Sequence, residues 1–553
     1  MKKKNLPLGY DDFSEVRKAD RYFVDKSMMV EEFLVCGDKV SLITRPRRFG
    51  KTLNMTMLRD FFDITKDSRD IFDGLAIMDT EYAEQINSRP VIYFTLKDCN
   101  AQTPQELAAA LCNALLTEYG RYYTIARDVS LQLAIFLRFE NAYQKIYDGT
   151  ATLTELSTSV SLLEQVVSEI YGKPVILLWD EYDTPIMSSH QYKYHDQISA
   201  FIANFYGSAL KGQQHLEKAL LTGIQRVAKE SIFSKLNNVI VYTTLDKDYA
   251  AYFGFTEKET EELLEYYGYS LNDDVKRMYD GYHIGDQDIY NPWSILNYCK
   301  KGELRPYWVN TSSNSLIRET LKTPMKGFRE KFEELIENGS ARVDINLETA
   351  YQELKTPATL WGLFCNAGYI TVRKSVTPRL AEIAVPNEEV KEEFQDIVSE
   401  YIGVENSYFL EMVQALTEAD YECFFKNYKA IILNCTSYYD SVQNAGQFEN
   451  PYHMLTLGMM ISLDSLYQIK SNYETGDGRA DIRMISKEPE KRAHIIIEFK
   501  CTDDVEKGAQ DALEQIREKR YAEGLRAEAP QGQILCLGIA HFKKRCAMRH
   551  ELA

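Results

Sequence analysis

Residues 45–52 hold the side chains best suited to chemistry, because one short turn combines basic residues, a glycine and a hydroxyl. Where such a turn opens a helix, unpaired backbone N–H groups and the positive end of the helix dipole attract an anion, and Gly50 allows its close approach. Lys51 can then bind phosphate oxygens, and the Thr52 hydroxyl can bind Mg²⁺. The pattern therefore predicts a phosphate-binding P-loop.

The front of this loop departs from the usual P-loop pattern, because Arg45 stands where a glycine is expected. A helix that simply begins after a basic loop is an alternative interpretation of Gly-Lys-Thr. The flanking pattern favours the P-loop, since residues 40–44 form a short β-branched run and an amphipathic helical start follows the turn. The candidate nucleotide-binding residues of the loop are Arg47, Arg48, Phe49, Gly50, Lys51 and Thr52.

An acidic pair follows a second predicted strand. The apolar run at 174–179 is too short for a typical helix and suits a strand buried on both faces. Asp180 and Glu181 follow it, at the end where open α/β sheets bind ligands. We interpret Asp180 as a Mg²⁺ ligand beside Thr52, and Glu181 as the general base that polarises the attacking water. A strand that ends in an acidic turn is the alternative, but its combination with the Gly-Lys-Thr turn favours one ATP or GTP site.

A third predicted strand, at 219–223, brings Thr222 and Arg226 to the same region. Thr222 could contact the γ-phosphate or the water, and Arg226 could neutralise charge in the transition state. An ordinary Thr-Gly exit from a strand is an equally good interpretation. With further strand candidates at 91–95 and 238–243, the sequence predicts an α/β sheet of about five strands with helices between them.

A second group of reactive side chains lies near the C-terminal end of the sequence. Asp481 follows a glycine-flanked turn at 476–478 and enters a predicted strand, and residues 494–500 form the next one. Because side chains alternate along a strand, Glu498 and Lys500 share a face. Two carboxylates can hold Mg²⁺ against a scissile phosphate, and the lysine can position or activate the attacking water. An exposed strand-edge pair is the alternative interpretation of Glu-x-Lys alone.

Composition excludes several classes of protein. The 64 basic and 82 acidic residues, net −18, argue against a protein that coats nucleic acid non-specifically, although a local basic groove stays compatible. The sequence shows no apolar run of about 18 residues and no apolar signal core after Met1, so it predicts no membrane span. Ten scattered cysteines without paired zinc spacing predict buried free thiols in a reducing cytoplasm.

After the five strands, the sequence predicts a helical lid and a winged-helix-like region. Residues 255–338 read as helices with aromatic-rich loops, which suits a lid over the nucleotide. A helix that ends at Gly368, followed by alternating residues at 369–372 and 382–385, predicts a helix and a hairpin, as in a winged helix. Contact with DNA and contact with protein are both open for this module. Pro386 and the acidic run that follows it predict a domain boundary.

In combination, these motifs resemble the bacterial AAA-ATPase-like family, whose members join a divergent P-loop ATPase to a C-terminal nuclease-like domain. The resemblance covers nearly the whole chain. It is carried by the RPRRFGKT form of the loop and by residues 179–185, 221–237, 290–294 and 307–311.

The Asp, then Glu-x-Lys arrangement resembles the PD-(D/E)XK nuclease core. The helix predicted from Val505 to Arg520 carries Gln515, with Lys519 one turn later. It resembles the Gln-containing helix that follows this core in some members. The resemblance also implies that Glu449 is the acidic residue of the core's first helix.

The predicted organisation is a P-loop ATPase core at 1–250, a helical lid and winged-helix-like region at 251–388, and an α/β PD-(D/E)XK nuclease-like domain at 389–553. We predict ATP binding and hydrolysis, with ATP and Mg²⁺ as cofactors, coupled to Mg²⁺-dependent cleavage of nucleic acid, with DNA favoured. The alternative is a nucleotide-gated sensor or scaffold whose C-terminal domain binds nucleic acid or protein without cutting. We expect a cytoplasmic location, and a homo-oligomer is compatible with the sequence. The sequence leaves open DNA or RNA, the trigger, and whether Arg226 acts in its own chain.

Overall fold

The computed structural model describes most of the chain. The described residues are 3–212, 214–227, 238–308, 327–328, 331–332, 334–335, 339–349, 356–377, 379–391, 406–434, 456, 459–460, 463, 466–542 and 545–553. The chain divides into two units. The first comprises Met1–Ile317 and Arg342–Val390, and the second comprises Arg318–Ala341 and Lys391–Ala553.

Strands and helices alternate in the part of the chain before Val390. Its described strands are β1 (Val40–Thr44), β2 (Val91–Thr95), β3 (Val175–Asp180), β4 (Leu216–Gly223), β5 (Arg226–Val227), β6 (Val239–Tyr242), β7 (Phe255–Thr256), β8 (Tyr282–Ile284), β9 (Gln287–Tyr290), β10 (Ser340–Asp344), β11 (Glu348–Thr349), β12 (Thr371–Ser375) and β13 (Leu380–Ala384). Its described helices are α1 (Phe13–Lys18), α2 (Met29–Val35), α3 (Lys51–Phe62), α4 (Arg69–Phe72), α5 (Pro104–Arg127), α6 (Leu133–Tyr147), α7 (Leu153–Leu156), α8 (Ser159–Tyr171), α9 (Thr184–Gln191), α10 (His195–Leu210), α11 (Glu257–Tyr267), α12 (Asp273–Tyr279), α13 (Pro292–Lys301) and α14 (Pro357–Ala367). Two short 3₁₀ helices cover Ala76–Asp79 and Glu81–Gln85.

A parallel sheet forms the centre of the first unit. Among the described residues it has five strands in the order β2-β3-β4-β1-β6. All five strands predicted from the sequence are present, and β1 and β3 are buried along their whole length, as expected for parallel strands covered on both faces. Since β1 and β3 both pair with β4, the loops after these three strands open at the same edge of the sheet.

The sequence of residues 11–34 has helix-like spacing and predicts a helix, but in the structure this segment is only partly helical. It forms α1 and α2, and the chain between them is held by long-range contacts instead. The Tyr22 amide donates to the Asn5 carbonyl at 2.9 Å, and the buried Lys26 ammonium donates to the Ala251 carbonyl and pairs with Glu259. Tertiary partners therefore outweigh local helical spacing in this segment.

The predicted lid contains a small antiparallel sheet, β7-β9-β8, beside its helices. The predicted helix and hairpin are also present. Gly368 ends α14 in the left-handed conformation, with φ 91°, and β12 pairs antiparallel with β13 in the sheet β10-β13-β12. Glu389, from the acidic run read as a boundary, is fully buried and accepts from the Ser294 hydroxyl and the Trp308 amide.

The second unit is built on a mixed sheet. Its described strands are β14 (Tyr467–Thr475), β15 (Gly478–Ser486), β16 (His494–Cys501), β17 (Ile534–Phe542) and β18 (Arg545–Leu552), paired in that order, and only β16 and β17 run parallel. Its described helices are α15 (Asn406–Thr417), α16 (Tyr421–Asn434), α17 (Val505–Glu518) and α18 (Tyr521–Glu528). The apolar run at 534–539 predicts the strand that closes this sheet, but β18 lies outside β17 and forms the edge.

The two faces of this mixed sheet have separate cores. Ile495, Ile497 and Leu537 pack with α15 and α16, whereas Ile496 and Cys536 pack with α17 and α18. This alternation leaves the side chains of even-numbered β16 residues on the face covered by α17.

In the described part of the chain, none of the helices combines the length and the hydropathy that crossing a bilayer requires. The cysteines there are all free thiols, and most of them are buried. The prediction of unpaired cysteines is therefore confirmed for these residues.

Candidate functional site

The turn after β1 reverses the chain in two left-handed steps, at Arg48 (φ 67°) and Gly50 (φ 81°), so that α3 begins at Lys51. The Lys51 ammonium folds back over this turn and donates to the carbonyls of Arg45 and Pro46 at 3.0 and 2.8 Å. Burial lowers the pKa of Lys51, and the nearby carboxylates of the acidic strand end oppose that shift. The Lys51 ammonium thus lies over the loop, next to the N-terminus of α3.

The structure shows how Arg45 is accommodated at the front of the loop, where the P-loop pattern expects a glycine. Its guanidinium is fully buried and donates to the carbonyls of Thr44, Tyr242 and Thr243 at 2.9, 3.1 and 2.8 Å. Its amide donates to the Gly223 carbonyl at 3.1 Å. Burial lowers the pKa of Arg45 to about 10. The side chain therefore ties β1 to β6 and points into the end of the sheet instead of the loop.

Asp180 connects three elements at the carboxyl edge of the sheet. Its carboxylate accepts from the Thr52 hydroxyl at 2.7 Å and from the Thr222 hydroxyl, and it is 1% exposed. A hydroxyl and a carboxylate oxygen side by side are the donor set that Mg²⁺ takes beside a phosphate. Thr52 and Asp180 therefore fit the predicted metal site.

Glu181 lies at the end of β3 in the left-handed conformation, with φ 52°. Non-glycine residues adopt this conformation at a cost, and such residues cluster at functional sites. Its side chain lines the same cavity as Lys51. Burial raises the pKa of Glu181, and the negative charge of Asp180 adds to the shift. A carboxylate with a raised pKa accepts a proton more readily, which suits a general base.

Asp183 is a site residue that sequence reasoning missed. Its buried carboxylate accepts from the amides of Ile224 and Gln225 at 2.9 and 2.8 Å, and the Tyr182 hydroxyl donates to the Gln225 carbonyl at 2.7 Å. Burial raises the pKa of Asp183. The acidic strand end therefore fixes the loop after β4. A third acidic residue in the run, three positions after Asp180, was the available signal.

A cavity of about 470 Å³ opens beside the P-loop. Its polar end is the loop itself, and its other walls come from residues 7–11 and 22–24 and from the lid residues Phe255 and Trp293. The Arg48 guanidinium lies 4.6 Å from the centre of the Trp293 ring. A phosphate-binding end joined to apolar and aromatic walls is the form of a nucleotide pocket. Because residues 11–34 lead into the P-loop strand, the sequence predicts that this segment packs beside the nucleotide, whereas residues 7–10 carry no such signal.

The predicted nucleotide-site residues fall into three positions. Those that line the cavity are Arg47, Arg48, Phe49, Gly50, Lys51, Thr52 and Glu181. Asp180 and Thr222 lie behind Thr52. Arg226 is in β5, which pairs in parallel with β11, and it is not among the described residues of the cavity wall.

The loop after β4 also contacts the winged-helix-like region. The Asn366 amide, on α14, donates to the Gln225 side chain at 3.0 Å and to the Leu347 carbonyl at 3.2 Å. Gln225 and Asn366 are both buried. The acidic end of β3 is therefore connected, through Asp183 and Gln225, to α14.

In the second unit, Asp481 and Glu498 lie on neighbouring strands. The pairing of Ile482 with Ile497 places them opposite each other. The Phe499 amide donates to the Asp481 carboxylate at 2.7 Å, and the Asp481 amide lies 3.4 Å from Glu498 Oε2. Lys500 Nζ is 4.0 Å from Glu498 Oε1. The structure thus brings the two carboxylates and the lysine together.

Gln515 joins this group because α17 packs very closely on the sheet. A Cβ added at Gly538 would lie 2.4 Å from the Ala509 carbonyl, so only glycine allows this approach. The Gln515 amide donates to Glu498 Oε1. The helix therefore sets the orientation of a carboxylate that is itself only 3% exposed.

The predicted Glu449 lies outside the described residues, so its place in the site stays a prediction. Among the residues that are described, no group of three His, Cys, Asp or Glu side chains is arranged to hold a metal ion. Asp481 and Glu498 provide two opposed carboxylates, and this oxygen-only donor pair fits a hard divalent cation.

Comparison with known families matches both parts of the chain. The family described as "Predicted AAA-ATPase" matches residues 7–233, and the family described as "PD-(D/E)XK nuclease superfamily" matches residues 447–551. The chain is also similar to the "Uncharacterized protein in vnfD 5′region" of Azotobacter chroococcum mcd 1. The two are 24% identical over 560 residues, which cover 97% of this chain and 96% of that relative.

The P-loop site lies within the first match and the carboxylate pair lies within the second. The sequence of that relative spans both. The chain thus carries an N-terminal domain of the AAA-ATPase-like family and a C-terminal domain of the PD-(D/E)XK nuclease superfamily.

Proposed function

We propose that this protein binds and hydrolyses ATP at the P-loop and uses this reaction to control a Mg²⁺-dependent nuclease centre that acts on nucleic acid, with DNA favoured. The observation that carries the ATPase half is the 2.7 Å hydrogen bond from Thr52 to Asp180, which joins the P-loop to the acidic strand end beside one cavity. The opposed Asp481 and Glu498, with Lys500 beside them, support the nuclease half. The proposal includes the boundaries 1–250, 251–388 and 389–553 and a cytoplasmic location.

In the ATPase centre, Lys51 would exchange the carbonyls of Arg45 and Pro46 for β- and γ-phosphate oxygens, while the helix N-terminus holds the phosphates through backbone N–H groups. Glu181 would accept the proton of the attacking water. Thr52 and Asp180 would hold Mg²⁺, which when bound neutralises charge on the phosphate oxygens. Thr222 would keep Asp180 oriented through its hydroxyl.

In the nuclease centre, Asp481 and Glu498 would hold Mg²⁺, which polarises the scissile phosphate when bound. Lys500 would position the attacking water and stabilise negative charge on the phosphate. Gln515 would fix the Glu498 carboxylate through its amide hydrogen bond. Each protein group thus has one role, to hold the cation, to position the water or to orient a ligand.

Coupling between the centres is part of this proposal. The contact from Gln225 to Asn366, and the pairing of β5 with β11, link the loop after β4 to the winged-helix-like region of the first unit. A change at the γ-phosphate that moves this loop would therefore move α14 as well. The proposal is that this motion changes access to the nuclease centre or its grip on the substrate.

The test measures ATP turnover and cleavage of supercoiled and single-stranded DNA in one tube. Lys500→Ala should abolish cutting and keep ATP turnover, whereas Lys51→Ala should lose ATP turnover and change cutting. Lys507→Ala, on the exposed first turn of α17, is the matched control for the lost charge and should cut like wild type. If wild type and Lys51→Ala cut DNA equally, with and without ATP, the proposal that the two centres are coupled is wrong.

The same tube discriminates the alternative function, a nucleotide-gated sensor or scaffold. Wild type that hydrolyses ATP but cuts no nucleic acid would favour it. A Mn²⁺ titration of wild type and Glu498→Ala then decides, because equal Mn²⁺ binding by the two chains means that the carboxylate pair holds no cation.

A further inference from the structure

Tyr521 lies directly behind the carboxylate pair. It begins α18 immediately after a tight turn in which Arg520 adopts the left-handed conformation, with φ 54°. This turn directs the tyrosine back toward β15, where its side chain is 2% exposed. The hydroxyl donates to the Arg479 carbonyl at 2.7 Å, two residues before Asp481.

The same hydroxyl contacts the other half of the centre. It forms a hydrogen bond with the Gln515 side chain and interacts electrostatically with the carboxylates of Glu498 and Asp481. Gln515 in turn donates to Glu498 Oε1. A single phenol therefore connects the strand that carries Asp481 to the helix residue that orients Glu498.

The surrounding backbone is built to place this phenol. The Asp477 amide, in the turn between β14 and β15, donates to the Lys519 carbonyl at 2.8 Å. A Cβ at Gly476 would lie 2.3 Å from that carbonyl, and a Cβ at Gly478 would lie 3.0 Å from the Tyr521 hydroxyl oxygen. Gly476, with φ 56°, therefore has to be glycine for the hairpin turn to rest on the junction of α17 and α18, and a side chain at Gly478 would require the Tyr521 hydroxyl to shift. The hairpin and the helix junction are thus fixed to each other at Tyr521.

We infer that Tyr521 is a positioning residue of the nuclease centre, whose hydroxyl sets the spacing of Asp481 and Glu498 and thereby the affinity of the site for a divalent cation; this inference rests on the proposed function. Two opposed carboxylates repel each other, so their separation must be held by neighbouring groups until a cation binds between them. Outer groups that orient metal ligands typically contribute about 10- to 100-fold in metal affinity. Tyr521 occupies that outer position for both ligands at once.

The test is Mn²⁺ binding by the full-length, nucleotide-free chain, measured from the electron paramagnetic resonance signal of free Mn²⁺. Glu498→Ala provides the baseline for other Mn²⁺ sites. Tyr521→Phe keeps the ring and removes the hydroxyl, and it should weaken binding about 10- to 100-fold. Tyr467→Phe is the matched control, because Tyr467 is a buried tyrosine of the same sheet that packs in the core on the opposite face. It should bind Mn²⁺ like wild type.

Two further measurements separate positioning from a general loss of structure. Cleavage by Tyr521→Phe should return toward the wild-type rate at saturating Mn²⁺, because the phenol acts through the placement of the ligands. Gly478→Ala, whose new Cβ would displace the Tyr521 hydroxyl, should weaken Mn²⁺ binding in the same way and tests the inference if Tyr521→Phe does not fold.

The possible failures are distinguishable. Unchanged Mn²⁺ affinity in folded Tyr521→Phe, or in folded Gly478→Ala, overturns the positioning role and leaves the nuclease proposal intact. Wild type that binds no more Mn²⁺ than Glu498→Ala overturns the nuclease proposal itself, and the role of Tyr521 with it.

Discussion

Replacement of Thr52 by valine tests the ATPase centre most directly. Valine has nearly the shape of threonine, so the change removes one hydroxyl from α3 and little else. In the structure this hydroxyl donates to the carboxylate of Asp180 at 2.7 Å. In the Mg-ATP complex, a contact of this hydroxyl with Mg²⁺ that is as strong as a hydrogen bond to a charged group, about 1.5 to 3 kcal/mol, corresponds to about a 10- to 150-fold change in a dissociation constant. We expect Thr52→Val to weaken binding of ATP by that factor when Mg²⁺ is present.

The assay is a fluorescence titration with a labelled ATP analogue, in Mg²⁺ and again in excess EDTA. The loss should be confined to the Mg²⁺ series, since the hydroxyl is proposed to act as a metal ligand. Thr56→Val is a matched control one helical turn later, because the Thr56 hydroxyl is also buried and bonds to the carbonyls of Asp11 and Leu53 at 3.2 and 2.9 Å. The Thr56 hydroxyl also accepts from the Phe13 amide at 3.0 Å, so Thr56→Val loses at least as many hydrogen bonds as Thr52→Val without facing Asp180. Thr52→Ser keeps the hydroxyl and should restore Mg²⁺-dependent affinity.

Two results would refute this reasoning. The first is equal affinity of Thr52→Val and wild type for the nucleotide in Mg²⁺. The second is an equal loss in Thr56→Val, which would mean that packing of α3, and not the hydroxyl at Asp180, determines binding.

Three other substitutions test the packing that supports the two centres. Glu164 is fully buried, neither of its carboxylate oxygens is hydrogen-bonded within the described residues, and burial raises its pKa well above the usual 4.5. A raised pKa in the folded state means that stability is lost as the pH rises above the unfolded value, so Glu164→Gln should raise the urea midpoint more at pH 8 than at pH 4.5; an equal change at both pH values would contradict this. Asn366→Ala removes the donor to Gln225 and should leave nucleotide affinity near wild type while reducing the effect of ATP on cleavage, and an unchanged ATP effect would exclude this route of coupling. Gly538→Ala would place a Cβ 2.4 Å from the Ala509 carbonyl and should lower the thermal midpoint by an amount corresponding to about 1 to 3 kcal/mol, whereas Gly207→Ala, with open space around its Cβ, should leave it at or above the wild-type value, because alanine is favoured over glycine within a helix such as α10.

Arg45 shows how a departure from a motif can be compatible with the motif's geometry. The sequence does not match the full P-loop pattern, because Arg45 replaces its first glycine. The buried guanidinium instead spans three carbonyls at the ends of β1 and β6, and the loop keeps its left-handed turns at Arg48 and Gly50. Glycine is therefore needed where the backbone turns, whereas the front position can hold Arg45 because its side chain points away from the loop.

Local sequence was sufficient for most strands and for the positions of several candidate site residues. The five strands of the first unit were predicted because short β-branched or apolar runs have few alternatives between helical segments. The P-loop side chains were predicted because they are consecutive, and Asp180 and Glu181 because a buried strand ends at them. Alternation along β16 was enough to place Glu498 and Lys500 on one face.

The segment around residues 11–34 shows where such reasoning fails. The spacing of its residues is helix-like, but Tyr22 and Lys26 are bound by Asn5, Ala251 and Glu259. These partners come from the N-terminal segment and from a region more than two hundred residues later in the chain. No local periodicity reports such partners, so the extended path between α1 and α2 could not be inferred.

The sequence by itself thus determined the strands and the turn after β1, and it indicated the candidate site residues, because each depends on neighbours in the chain. Only the tertiary structure decided which of them meet. The order β2-β3-β4-β1-β6 brings Thr222 to Asp180 across 42 residues, and docking of α14 brings Asn366 to Gln225 across 141. The placement of Tyr521 at Arg479 likewise follows from the packing of α17 and α18 on the mixed sheet. Such contacts arise from strand order and helix docking, which leave no periodic pattern in the sequence.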